Sequence, residues 1–173
     1  ADEDFTELFA AYPKFKQWFN INTNADKLKG YRIVTISLKR TGIAPGDMST
    51  EEMNLIADLA DQYTFGELRT THEQNISLVD VPQKDLFAVW QALEANNLAR
   101  AHIGFVTDII CCPGGDFCSL ANAKSIPISE AISRRFDDLD TIYNLGKLDL
   151  NISGCMNACG HHHVGNIGIL GVD

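Results

Sequence analysis

The chain has 173 residues, 45% of them hydrophobic, with 14 Lys and Arg against 23 Asp and Glu for a net charge of -9. An ordinary apolar content excludes a disordered chain, and the acidic balance argues against nucleic acid as a general partner, since phosphate binding needs a surplus of Lys and Arg on some face. Apolar runs such as Tyr31 to Leu38 and Ile103 to Cys112 stop well short of the roughly 18 residues that cross a bilayer. The acidic start Ala1-Asp2-Glu3-Asp4 lacks the basic patch and apolar stretch of a secretory signal, so a cytoplasmic protein is expected.

Phe5, Leu8, Phe9, Tyr12, Phe15 and Phe19 form a helical stripe that Pro13 interrupts. A polar loop from Asn20 to Gly30 follows. Tyr31 to Lys39 alternates with period two through Ile36 and Leu38 and is rich in β-branched residues, which predicts a strand. Thr41 to Asp47 carries loop chemistry, and Ser49 with Glu52 three residues later is a capping box opening a helix. Met53, Ile56, Leu59, Ala60 and Tyr63 lie along one face of that helix.

Short strands at Phe65 to Thr70 and Ile76 to Val81 flank a polar connection. A second helix runs from about Lys84 to Asn96, with Leu86, Trp90 and Leu93 inward. The order β-α-β-β-α is most of a ferredoxin-like unit. From about Gly104 the texture changes to cysteine- and glycine-rich turns, with a helix at about Pro127 to Leu139 and a strand at Leu148 to Ile152. The expected organisation is α+β: an N-terminal helix and linker at 1–30, a ferredoxin-like half-domain at 31–103 and a second module at 104–173.

All five cysteines fall between Cys111 and Cys159. An odd number without export signals disfavours a disulfide framework and favours a metal or redox site. Cys112 and Cys118 make C-x5-C, and Cys155 and Cys159 make C-x3-C. Thiolates from two such loops can hold a 4Fe-4S cube, each iron taking one protein ligand. Gly114, Gly115, Gly154 and Gly160 leave room beside it. A structural zinc site is the rival, and C-x5-C fits its usual tight knuckles poorly. Cys111, beside Ile109 and Ile110, reads as a spare buried thiol.

The stretches Cys-Cys-Pro-Gly-Gly-Asp-Phe-Cys-Ser-Leu-Ala and Ser-Gly-Cys-Met-Asn-Ala-Cys-Gly closely resemble the signature of the sulfite and nitrite reductase haemoprotein family. Leu68 to Ile76 resembles a strand of its second ferredoxin-like half. The resemblance covers about Tyr31 to Asp173, matching the C-terminal half of a duplicated architecture. It implies a ferredoxin-like half-domain followed by part of the sirohaem and 4Fe-4S reductase domain. It further implies a 4Fe-4S cluster on Cys112, Cys118, Cys155 and Cys159, with Cys159 bridging to the iron of sirohaem. Asn157 would lie against the macrocycle, and Gln74 and Asn75 near the cofactor. The implied activity is multi-electron reduction of sulfite to sulfide, with nitrite to ammonia as the alternative and a non-catalytic iron-sulfur or zinc module as the rival from another class.

The partners implied are the small anion, the N-terminal half of the same reductase, and an electron donor such as ferredoxin or a flavoprotein. Without that other half the fragment is expected to be inactive. Arg69 is the local candidate for holding the anion. Glu73 stands where the family's other half has a basic residue, and Lys124 reads as a surface charge. His161-His162-His163 is a poor tridentate chelate, because consecutive side chains diverge; a flanking role beside the cofactor or a turn are both open. Val164 to Gly171 reads as a glycine-rich strand rather than a nucleotide loop.

Overall fold

A computed structural model describes residues 3–172. The chain divides into two compact units, residues 1–38 with 48–103, and residues 39–47 with 104–173. Residues 1–30, expected as a separate helix and linker, share the core of the first unit, and the loop 39–47 belongs to the second.

In the first unit Pro13 does not break one helix but starts another. Helix α1 spans Thr6–Ala11 and α2 spans Pro13–Asn22 with Pro13 in its first turn, where the missing N–H has no helical partner to lose. The expected polar loop shrinks accordingly, because α2 runs to Asn22 and Thr23–Ala25 forms strand β1. Strand β2, Tyr31–Ile36, ends before Lys39.

Helix α3, Thr50–Tyr63, opens on the expected capping box: Ser49 Oγ accepts from Glu52 N at 3.3 Å, and Glu52 Oε2 accepts from Ser49 N at 2.7 Å. Its buried stripe is Ile56, Leu59 and Ala60. Met53, in the first turn, is 56% exposed, so the apolar face begins one turn later than the periodicity suggests.

Strands β3, Leu68–Thr70, and β4, Ile76–Pro82, lead to α4, Leu86–Ala95, through a 3₁₀ turn at Gln83–Asp85. Phe65, read as strand, is exposed before β3 begins.

The first sheet has the order β1-β2-β4-β3, every pair antiparallel. A ferredoxin-like unit needs one more strand after β-α-β-β-α. Here that edge, beside β2, is taken by β1, which comes before β2 in the chain. Between Arg32 and Val34 the ladder is irregular: Val79 and Asp80 face Ile33, with Asp80 at φ 55°, a bulge whose left-handed residue is one of the few types that tolerate it. Val34, Ile36, Leu78 and Val81 point into a core closed by Phe15, Trp18, Leu86, Val89 and Leu93. Phe15 stacks on Trp18 and meets Trp90 at a ring separation of 5.5 Å.

The second unit holds a three-stranded parallel sheet in the order β5-β6-β7, formed by Ile110–Cys111, Leu150–Ser153 and Ile167–Leu170. The single helix expected at 127–139 is two: α5, Ser125–Arg135, and α6, Leu139–Leu145. Asp138 separates them by capping α6, its Oδ2 accepting from Thr141 N at 2.9 Å, a bond that favours a new helix start over continuation. Val106, Ile109, Cys111, Ile142, Leu150 and Ile152 form the core. No helix among the described residues is long and apolar enough to cross a membrane.

Both tryptophans lie in the first unit, so their fluorescence reports its unfolding. In urea titrations Phe15→Ala should lose about 3–5 kcal/mol from that unit through the cavity it leaves. Ser49→Ala, which removes one cap, should lose about 1 kcal/mol.

Candidate iron-sulfur site

Parallel pairing decides where the cysteines go. In a parallel sheet the chain leaves neighbouring strands at the same edge, and that carboxyl edge is where open sheets build their sites. Cys111 pairs with Ile152, and Cys112 N donates to Ile152 O at 3.1 Å. The loop after β5 therefore carries Cys112 and Cys118, and the loop after β6, carrying Cys155 and Cys159, emerges beside it.

Backbone hydrogen bonds join the two loops. Asn122 N and Ala123 N both donate to Gly154 O, at 2.8 and 3.0 Å. Within the first loop Gly115 N donates to Ala123 O at 2.9 Å, and Cys118 N to Gly114 O at 2.9 Å. In the second, Ala158 N donates to Cys155 O at 3.2 Å and Gly160 N to Ser153 Oγ at 3.1 Å. Glycine is required where the loops meet: a Cβ on Gly154 would lie 2.8 Å from Ala123 O, and one on Gly114, at φ 58°, 2.5 Å from Ser125 N. A Cβ on Gly160 would collide with the Ile152 carbonyl.

The Cys112 sulfur already has the surroundings of a ligand. It accepts the Gly154 N–H at 3.0 Å and stands 3.5 Å from Ser125 Oγ. Donors of this kind tune a metal-bound sulfur. Cys112 and Cys155 are buried, Cys118 is half-buried and Cys159 exposed, and all five cysteines are free thiols. Phe117, Leu120, Met156 and Val164 expose 69–87% of their surface in these loops and the turn after them. Asn157, between Met156 and Ala158, is exposed as well.

Cys111 differs from its neighbour. Its thiol donates to Cys112 O at 3.2 Å, and burial, followed by the adjacent Cys112, pushes its pKa from 9.0 up to about 12, with Lys39 and Ser129 opposing.

Among the described residues no three His, Cys, Asp or Glu side chains stand together as ligands for one metal ion. A cube makes a different demand, since each thiolate binds its own iron. The donor set and the joined loops fit such a group.

Arg69, Gln74 and Asn75 belong to the first unit and the cysteines to the second. Arg69 lies on β3 with its guanidinium 3.2 Å from Glu67, both side chains more than 60% exposed, a pairing of small energetic worth. Asn75, read as a cofactor contact, is buried with Oδ1 accepting from Leu38 N at 3.1 Å; this bond gives it a structural task in the first unit. Gln74 takes the left-handed φ of 58° that turns the chain between β3 and β4. Glu73 is exposed in the same turn, its N–H bonded to Thr71 Oγ1.

Lys124 pairs with Asp116 at 2.9 Å and is 68% exposed. His161, at φ 52°, opens a turn in which His161 N donates to Ala158 O and His161 O accepts from Asn151 Nδ2. The three imidazoles follow that turn, with the rings of His162 and His163 nearly perpendicular.

Sequence reasoning missed Ser125, which touches the Cys112 sulfur, and a buried pair between Lys39 and Asp108. Contacts at such separations leave no periodic signal along the chain.

Residues 29–96 match the family model described as the nitrite/sulfite reductase ferredoxin-like half domain. The chain is 29% identical over 140 residues to sulfite reductase (ferredoxin) 2 of Mycolicibacterium paratuberculosis, covering 78% of this chain and 25% of that protein. It is 25% identical over 171 residues to the ferredoxin–nitrite reductase of Synechococcus elongatus, covering 95% and 31%. The solved NirA protein of Mycobacterium tuberculosis shares the fold, with a TM-score of 0.62 and 24% identity over 82% of this chain and 26% of that one. The chain thus spans between a quarter and a third of the length of these relatives. Residues 29–96 thus carry the nitrite/sulfite reductase ferredoxin-like half domain, and the two-sheet α+β architecture agrees with the likeness of the chain to reductases of that family.

Proposed function

We propose that this chain is the cluster-binding portion of a sirohaem-dependent reductase that converts sulfite to sulfide. The observation that carries the reading is the meeting of the two cysteine loops at the carboxyl edge of β5 and β6, with the Gly154 N–H donating to Cys112 Sγ. Cys112, Cys118, Cys155 and Cys159 would hold a 4Fe-4S cluster, and Cys159, the most open of them, would share its sulfur with sirohaem iron. Asn157 would lie against the macrocycle. When bound, these groups would relay electrons from the donor and provide the iron at which the anion is reduced.

The chain's own residues have narrower tasks. Gly154 and Ser125 hold the Cys112 sulfur. The glycines keep the loops close, and the apolar rim of Phe117, Leu120, Met156 and Val164 would exclude water from a group seated on it. Arg69 could serve the anion only by leaving Glu67. Ferredoxin is the favoured electron donor because relatives bear it in their names. Nitrite is the second substrate reading, since relatives are named for both reactions.

Anaerobic reconstitution with ferrous iron and sulfide tests the ligand set. Wild type should take up about four iron and four sulfide per chain. Cys112→Ser and Cys155→Ser should each lose most of both, while Cys111→Ser should keep them. Stoichiometric zinc without acid-labile sulfide would support the non-catalytic module instead. With sirohaem and the rest of the reductase added in trans, viologen-driven consumption of sulfite and of nitrite ranks the two substrates.

Native-state alkylation with iodoacetamide separates the spare from the ligands. At pH 8 the exposed Cys159 should react first and Cys111 last, since a pKa near 12 in place of 9.0 leaves about a thousandfold less thiolate. The same shift makes stability depend on pH. Below pH 9 both folded and unfolded chains keep the proton. Between pH 9 and about 12 the unfolded chain loses it while folded Cys111 does not, so stability should fall as pH rises through that window. Cys111→Ala should flatten the decline in denaturant titrations.

A further inference from the structure

Helix α5 starts where the first cysteine loop ends, and the residues it buries are Ser125 and Ser129. An amphipathic helix ordinarily turns apolar side chains inward. Hydroxyls on that face need a partner, because burying one without a hydrogen bond costs stability. The usual reason for a serine at a helix start is capping, and it does not apply to Ser125. Ser125 is the first helical residue, the cap position belongs to Lys124, and no side chain caps the helix.

The Ser125 hydroxyl lies instead at the joint of the two cysteine loops. Its Oγ is 3.5 Å from Cys112 Sγ. Cβ atoms added to Gly114 and Gly154 would stand 2.6 and 2.9 Å from that oxygen, so the serine occupies the space the two glycines leave and has little freedom to turn elsewhere. The Gly154 N–H reaches the same sulfur at 3.0 Å. Two buried polar groups thus converge on one sulfur.

A neutral thiol is a weak acceptor, whereas a metal-bound sulfur carries no proton and accepts strongly. Between a bound sulfur and a hydroxyl, only the hydroxyl can donate. Reduction of a cluster adds charge that its sulfur ligands share, and a donor fixed on one of them favours the reduced state. An alanine would fit the same space with less crowding, so the oxygen is what the position supplies.

We propose that Ser125 is a positioning residue for Cys112: its hydroxyl fixes the sulfur in place and, by donating to it, raises the reduction potential of a cluster bound there. The proposal rests on the reading of the cysteines as cluster ligands.

The test uses the 173-residue chain reconstituted anaerobically with ferrous iron and sulfide, as wild type, Ser125→Ala and Ser125→Thr. Ser125→Ala removes one buried oxygen and adds nothing, and melting followed by circular dichroism shows that it folds. Expected are equal iron and sulfide contents in wild type and Ser125→Ala. At the wild-type midpoint potential the ratio of reduced to oxidised cluster should be about threefold lower in Ser125→Ala, or about 28 mV where tenfold is about 59 mV for a one-electron couple. Ser125→Thr keeps the hydroxyl and should hold the wild-type potential. An unchanged potential in loaded Ser125→Ala overturns the tuning role.

Amide hydrogen exchange of the metal-free chain reads the positioning separately. In Ser125→Ala the Gly154 N–H, whose acceptor is the Cys112 sulfur, should exchange severalfold faster, while the Leu148 N–H, bonded to Gly104 O at 3.1 Å, keeps its rate. Equal exchange at Gly154 overturns the positioning role. If wild type itself takes up no iron and sulfide, the cluster reading fails by that result alone, and Ser125 is judged on the exchange rates.

Discussion

The parallel register of β5, β6 and β7 is the constraint on which the cysteine region depends. Antiparallel neighbours would send the chain out at opposite edges and part the two cysteine loops. With Cys111 opposite Ile152 and Ser153 opposite Leu170, three chain segments leave side by side, and little except main chain fits between them. Gly171 N donates to Ser153 O at 2.7 Å, and added Cβ atoms at Gly114, Gly154 or Gly171 would each press on backbone of an adjoining segment. The glycines are thus consequences of the register before they are features of a ligand site.

The same geometry divides work between two adjacent cysteines. Successive residues in an extended chain point to opposite sides. Cys111, at the end of β5, turns into the apolar core, while Cys112 meets the Gly154 N–H and Ser125. One thiol becomes a high-pKa core residue and the next a hydrogen-bonded sulfur. The apolar neighbours Ile109 and Ile110 marked Cys111 as the buried thiol, and the alternation supplies the physical reason.

The first unit obeys a different logic. Its sheet is antiparallel, buries one apolar set against α2, α3 and α4, and draws its edge strand from the segment before β2. Phe5, Phe9, Phe15, Trp18 and Phe19 belong to that core because α1 and α2 fold back along it. Asn75, a polar residue in a matching stretch, accepts the Leu38 N–H at the end of that core.

What the sequence determined by itself was local or patterned. Period-two alternation marked β2, the Ser49–Glu52 box marked the start of α3, the 3.6-residue stripe of Leu86, Trp90 and Leu93 marked α4, and two short cysteine spacings marked the site. Each needs only residues within a few positions of one another. Tertiary structure decided what depends on distant pairings: β1 at the sheet edge, the break at Asp138, the return of 39–47 to the second unit, Ser125 against Cys112, and Lys39 buried on Asp108. A strand edge is chosen by hydrogen bonds still unmade elsewhere. A buried charge is tolerated only where a partner from far along the chain meets it, and neither condition is written in the local pattern.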